Sequence, residues 1–287
     1  MRIEVGLDDF LACLANTSAD SDNWTVWSSY CDRYRVVFDT IFKQFSIPKD
    51  AELVNYVNHC SLDAFADKAK QSVEMLSQSD VEHLCRTSAA YYGFDEDFDV
   101  YFLVGLGNIG GTCSPDPRFL YIGLEFVVSE SFRFLISHEL NHLVRFVRLG
   151  VNRLSDLPNF TVQDLVIAEG LATLAPLVIS ETPIHDETLR QALMISPDHY
   201  ERLVQQANEL ERKIVADADK QLDKSMMQKY FSVVNPYGTP IAGYFIGARW
   251  ISSLLEAGAS FKDLTSCPTT NIVQRYREIS AMSGSTD

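Results

Sequence analysis

Two histidines four residues apart, with a glutamate directly after the first, stand in His138-Glu139-Leu140-Asn141-His142. On a helix of 3.6 residues per turn, His138 and His142 project within about 40° of each other, one turn apart, so both imidazoles can reach one tetrahedral zinc ion. Glu139 stands about 60° from His142, near enough to take a proton from a water held there without itself becoming a ligand. With six His in 287 residues, chance produces this spacing about once in a hundred such chains, so the flanks must decide. The competing reading is a charged helix whose histidines share a face by accident. From about Glu130 to Leu149 there is neither Pro nor Gly, and Gly150 is a natural stop for a helix. Phe134, Leu135, Phe146 and Leu149 fall on the histidine side, which turns the pair inward, where polar groups need partners.

A catalytic zinc takes three protein ligands and leaves a fourth position for water. No third histidine follows closely, since positions 145 and 148 are both Arg. Downstream, Leu165-Val-Ile-Ala-Glu169-Gly-Leu-Ala172-Thr-Leu-Ala175 places one carboxylate inside a long apolar helical run. Burying a lone Glu is costly and would normally protonate it, and a cation removes that penalty. The chain between His142 and Glu169 is long enough to end one helix at Gly150, cross a loop through Pro158 and start another, with Thr161-x-x-Asp164 as its capping box. The competing partner for Glu169 is Arg145 or Arg148. Asp156 and Asp164, in loop or first-turn surroundings, are weaker ligand candidates.

His138-Glu139-x-x-His142 followed by Glu169-Gly170-Leu171-Ala172 resembles the gluzincin class of zinc metallopeptidases, and within it the YjaZ-like predicted zinc-dependent proteases. That group is similar in carrying a Gly-Tyr-x-x-Gly helix, matched here by Gly243-Tyr244-Phe245-Ile246-Gly247. The resemblance covers residues 98–255 and reaches the first 95 residues only loosely. It implies Zn2+ held by His138, His142 and Glu169, with Glu139 as catalytic base. Tyr244 could present its hydroxyl to the oxyanion formed at a scissile carbonyl, a role the resemblance also implies; the competing reading is that it only packs. Tyr237 and His199 are reserves for that role. One departure is Thr173, which stands where several gluzincins carry an acid that orients a ligand His; a hydroxyl makes that hydrogen bond more weakly.

The surrounding pattern suggests an α+β fold, mostly helical. A helical N-terminal lobe occupies residues 1–95, and a zincin-like catalytic region occupies 96–287, with a small sheet packed on the helix that carries the two histidines; the two parts could form one continuous domain. From Trp24, apolar residues recur with helical period through Trp27, Tyr34, Phe38, Ile41, Phe42 and Phe45, ending at Pro48. Further helix follows over about 50–60, 62–70 and 72–92. Strands are expected at Val100–Val104 and Phe119–Leu124. Between them, Gly105-x-Gly107-x-x-Gly110 spells a dinucleotide fingerprint, but Thr112-Cys-Ser-Pro115-Asp-Pro117 cannot open the helix that a pyrophosphate site requires. Gly107–Cys113, free of bulky side chains, instead suits an edge strand that pairs with a substrate backbone, with Gly110 and Gly111 as substrate-binding positions. The alternative is an ordinary Gly-rich hairpin loop. Arg145, on the ligand face, could hold a substrate carboxylate or Glu169, or serve the helix dipole. Glu125 reads as structural. Helices over about 186–195, 197–217 and 219–231 follow, then the helix of Tyr244.

Net charge is −15 and basic residues never run beyond a dipeptide. That argues against nucleic acid and an anionic membrane, and favours a neutral or basic peptide or protein as substrate. The nearest approach to a membrane span, Phe160–Ser180, contains Gln163, Asp164, Glu169 and a bending Pro176. The N-terminus lacks a signal-peptide pattern and the six cysteines are scattered, which points to reduced core thiols and the cytoplasm. Together these features point to a zinc-dependent peptidase. The alternative is a zinc-containing peptide-binding or regulatory protein without hydrolytic activity.

Overall fold

Three aspartates start three of the N-terminal helices. The computed structural model describes residues 1–16, 21–77, 79–107, 109–127, 132–151, 160–232 and 239–283. Its first part runs β1 (Arg2–Val5), α1 (Leu7–Ala15), α2 (Asn23–Arg33), α3 (Arg35–Gln44), α4 (Ala51–His59), α5 (Leu62–Ser77) and α6 (Val81–Tyr92). The side chains of Asp22, Asp50 and Asp80 accept backbone N–H groups at the starts of α2, α4 and α6, satisfying donors a helix start leaves open. Gly93, in the left-handed region at φ 65°, ends α6. The continuous period expected from Trp24 to Phe45 is broken at Tyr34. There the chain turns so that the phenol donates to Asp9 at 2.6 Å and the ring lies edge-on to Tyr30.

β1 does not stay within a separate helical layer. It pairs in parallel with β2 (Asp99–Leu103), and the sheet continues in the order β1-β2-β4-β3, with β3 spanning Gly111–Pro115 and β4 Arg118–Gly123. β2 and β4 are parallel, whereas β3 is antiparallel to β4 and lies at the edge. Gly111 pairs with Ile122 and Thr112 with Tyr121, so these two pairs face opposite sides of the sheet.

The helices beyond the sheet are α7 (Phe132–Arg148), α8 (Val162–Ile179), α9 (Asp186–Ala192), α10 (Pro197–Asp217), α11 (Lys224–Tyr230), α12 (Ala242–Glu256), α13 (Phe261–Ser266) and α14 (Thr269–Ser283). Asp156, Pro158, Tyr237 and the tail from residue 284 lie outside the described residues. Gly150, at φ 72°, closes α7. The expected capping box of Thr161 and Asp164 opens α8, which runs through Pro176 without ending. By length and composition α8 could cross a membrane, yet 72% of it is buried inside the fold. Its apolarity has a local cause, because α7 packs on one side of it and α12 on the other.

The α8–α12 contact is a backbone contact. A Cβ on Gly247 would lie 2.0 Å from the Val166 carbonyl oxygen, and one on Gly170 would lie 2.3 Å from the Gly247 carbonyl carbon. No rotamer relieves such overlap, so the two axes would have to separate. Gly247→Ala should therefore lower stability by about 2 kcal/mol or more, read as a fall in the denaturation midpoint.

A second fastening joins α10 to α11. Asp217, buried at the end of α10, accepts from Lys229 at 2.6 Å and from the Tyr230 hydroxyl at 2.7 Å, and pairs with Lys220 at 2.8 Å. Burial opposes ionisation, but these donors outweigh it and hold the carboxyl well below the usual range. A depressed folded pKa contributes stability above the unfolded value of about 3.9, and that stability is lost as pH falls through the folded value. Asp217→Asn should cost about 2 kcal/mol at neutral pH, with the gap to the parent chain closing in strongly acidic solution; a gap independent of pH would exclude the charge as its cause.

Candidate metal centre and cleft

α7 presents different residues to its neighbours because it is held in a fixed rotation. Along one stripe, Ser137 meets the Ser88 hydroxyl at 3.2 Å, and Asn141 Nδ2 donates to the Tyr92 hydroxyl at 2.9 Å and the Thr265 hydroxyl at 3.2 Å. Arg145 Nη1 donates to the carbonyls of Leu264, Thr265 and Cys267, and its Nη2 to the Thr269 hydroxyl. Arg148 donates to Ser266 Oγ and the Tyr92 carbonyl. Positions 137, 141, 145 and 148 follow the helical repeat, and together they tie α7 to α6, α13 and α14. The substrate role considered for Arg145 is thereby corrected. Its side chain is buried, turned about 60° away from His142, and engaged with neutral carbonyls near the end of α13. Neither Arg145 nor Arg148 pairs with Glu169.

The adjacent stripe of α7 carries the chemistry. His138 Nε2 and His142 Nε2 lie 3.1 Å apart, and Glu169 Oε2 on α8 is 3.2 Å from the first and 3.3 Å from the second. Were both imidazoles to point Nε2–H at the carboxylate, those donors would confront each other at 3.1 Å. A single cation satisfies all three lone pairs instead. Two imidazole nitrogens and one carboxylate oxygen are a zinc-type donor set, and tetrahedral bonds of about 2.0–2.2 Å require ligand atoms about 3.3–3.5 Å apart. The residues present fit the ion. Glu169 is buried, which would raise its pKa, but the two histidines outweigh this and hold it below the usual carboxylate range. Among the described residues the buried His142 Nδ1 has no hydrogen-bond partner, so Thr173, though buried in the turn after Glu169, does not orient His142.

Glu139 is buried between α7 and the sheet. Burial pushes its carboxyl up to about 7, with His138 opposing and the Glu169 charge reinforcing the rise. Gly111 at the head of β3 lies directly on it: a Cβ there would stand 2.7 Å from Glu139 Oε1. The edge strand thus begins at Gly111, later than the expected Gly107–Cys113. Leu106 and Gly107 adopt left-handed backbone conformations that no strand continues through. Gly110 immediately precedes the strand, and its carbonyl accepts from Gly123 N. Glu125 is structural as expected, accepting from Gly105 N and Gly107 N.

Tyr244, on the first turn of α12, stacks on His138 with ring centroids 6.3 Å apart and an interplanar angle of 19°. Burial and the charges of Glu169 and Glu139 push its phenol well above the ordinary value, so it is protonated and able to donate. Phe231 packs beside it, 6.2 Å between centroids, a neighbour that no sequence spacing pointed out. Of the reserves, His199 Nε2 lies 3.2 Å from the Pro240 carbonyl, and Tyr237 is outside the described residues. Asp164, the weaker ligand candidate, is occupied in capping α8.

A largely buried His-His-Glu cluster on two packed helices, with a second carboxylate beside it, defines a candidate zinc centre of the kind found in metal-dependent hydrolases. The sequence model of the predicted Zn-dependent proteases (DUF2268) matches residues 98–274, more than half of the chain, and the protein belongs to that family. Searches of the curated proteins and of the solved structures give no match. The geometry predicts one zinc per chain by elemental analysis of the wild-type protein, with Glu169→Ala reducing retention through a desalting column to background. Full occupancy in that variant would exclude Glu169 as a ligand.

Proposed function

We propose that the chain is a gluzincin-type zinc peptidase that hydrolyses peptide bonds, with Glu139 as general base. The observation that carries the reading is the convergence of His138, His142 and Glu169, with Glu139 projecting from the same helix next to the cluster. Zinc bound by these three side chains would lower the pKa of a water towards about 7 and polarise a carbonyl. The Glu139 carboxylate takes the proton of the attacking water on one of its oxygens and returns it to the leaving amine nitrogen. The Tyr244 phenol, protonated at working pH, donates a hydrogen bond to the oxygen of the carbonyl under attack. β3 receives the substrate backbone as an added strand. Its place at the sheet edge and the close approach of Gly111 to Glu139, which a Cβ would block, support this, because they bring the strand next to the proposed base. The packing of a small sheet over the H-E-x-x-H helix, with an antiparallel edge strand, supports a zincin-like arrangement.

Glu139→Gln removes the proton acceptor while keeping the shape and all three metal-binding side chains. It should retain zinc at the parent stoichiometry and lose about 10²–10⁴-fold in peptide hydrolysis, measured by mass spectrometry on unstructured peptides. A variant that cleaves at the parent rate would remove Glu139 from the mechanism.

A further inference from the structure

The face of the sheet turned away from α7 carries an open cavity of about 510 Å³, lined by α2, α3 and the segment after it, α4, the loop before β3 and Lys224 of α11. Trp27, Phe38, Phe42 and Tyr121 are among its lining residues, and Phe45 and Tyr56 stand there 42% and 40% exposed. Two large apolar side chains left open at one cavity indicate an apolar occupant.

Hydrogen bonds hold the cavity wall at residues 105–107. Gly105 and Ile109 line it, and the loop between them carries left-handed Leu106 and Gly107, at φ 57° and 78°. Non-glycine residues keep such conformations where the surroundings over-determine them. Here the buried Glu125 carboxylate takes Gly105 N and Gly107 N from one side, while the Tyr56 hydroxyl donates to the Leu106 carbonyl at 2.8 Å from the other.

The pleat of β3 connects this cavity to the candidate catalytic cleft. Gly111 faces Glu139, whereas Thr112 points to the other side, where its hydroxyl accepts from Gln44 of α3 at 3.1 Å. Tyr121, the partner of Thr112 across the strands, lines the cavity. A peptide added along β3 would alternate in the same way. A residue whose side chain shares the Gly111 face lies on the Glu139 side, and its neighbour in the peptide lies on the α3 side, where Phe45, next to Gln44, lines the cavity.

We propose that this cavity is a specificity pocket for the substrate, receiving one large apolar side chain, aromatic or long aliphatic, of a peptide bound along β3. The proposal rests on the peptidase reading for its substrate. Its test therefore has a binding arm that does not depend on hydrolysis.

In the cleavage arm, zinc-loaded protein acts on a mixture of unstructured random-sequence peptides and the cut sites are read by mass spectrometry. Phe, Tyr, Leu or Met should be enriched at one fixed position relative to the cut. That enrichment should fall about tenfold, mainly through KM, in Phe45→Asp, a change at an exposed position, and in Leu53→Trp, since Leu53 of α4 also lines the cavity and the larger ring fills it. In the binding arm, the zinc-loaded Glu139→Gln protein is titrated with a blocked polar peptide carrying a single Phe and with the same peptide carrying Ser, following tryptophan emission, since Trp27 lines the cavity. The Phe peptide should bind about tenfold more tightly, and Phe45→Asp should abolish the difference. Equal binding of the two peptides, or a cleavage preference that both cavity variants leave intact, would overturn the pocket. Discrimination in binding from a wild-type protein that cuts nothing would overturn the hydrolase reading and leave the pocket standing.

Discussion

A carboxylate in the middle of an apolar helix is the constraint to which the rest of this structure answers. Glu169 is buried on α8 among Ile167, Ala168, Leu171 and Ala172. An unpaired charge there would cost several kcal/mol, more than the roughly 1 kcal/mol that the capping box of the same helix contributes. Some partner must therefore come to it. The partners are two imidazoles one turn apart on α7, so α7 must cross α8 at this residue and in one rotation. Turning either helix by a single residue, about 100°, would carry its donors away from the cluster.

Two further elements approach the cluster, and in each case glycine permits it. Gly170, directly after Glu169, lets the α12 backbone touch α8 at Gly247, which sets Tyr244 three residues earlier against His138. Gly111 lets the sheet edge rest on Glu139. Glycine inside a helix costs about 1 kcal/mol relative to alanine, and α8 and α12 both accept that cost at their crossing. The loss is smaller than the strain of forcing two helix backbones apart in a packed interior.

The site was legible where its chemistry repeats locally. The four-residue spacing of the histidines, the lone Glu in an apolar run, the Thr161 cap and the small residues at 243 and 247 are all short-range patterns, and the fold uses each of them. Other features depend on contacts between distant segments. Nothing near residue 2 announces that β1 will pair with β2, since the partners Arg2 and Asp99 lie far apart in the chain. The break at Tyr34 follows from a hydrogen bond to Asp9, on another helix. The late start of β3 reflects left-handed residues held by Glu125, a residue that the sequence marks only as structural. For Arg145 the helical angle was informative but read one stripe too far. Polar residues at 137, 141, 145 and 148 share a face, and that periodicity separates Arg145 from the ligands.

That separation has a chemical consequence. Had Arg145 faced Glu169, a bidentate ion pair would have satisfied the carboxylate without any metal, and the two histidines would have lost their common partner. Instead the guanidinium donates its hydrogen bonds to the carbonyls of residues 264, 265 and 267, near the end of α13, and to a threonine hydroxyl, with the Asp164 carboxylate adding a favourable charge interaction. Burial lowers its pKa to about 10, so it still carries its charge at neutral pH. The positive charge anchors the back of α7 at a site where no acidic side chain is its hydrogen-bond partner, and the acid on α8 stays available to a cation. Helix α7 thus segregates its polar residues into a stripe that fastens it to α6, α13 and α14 and a stripe that leaves lone pairs unspent, and it is this segregation that turns a buried helix into a metal-binding one.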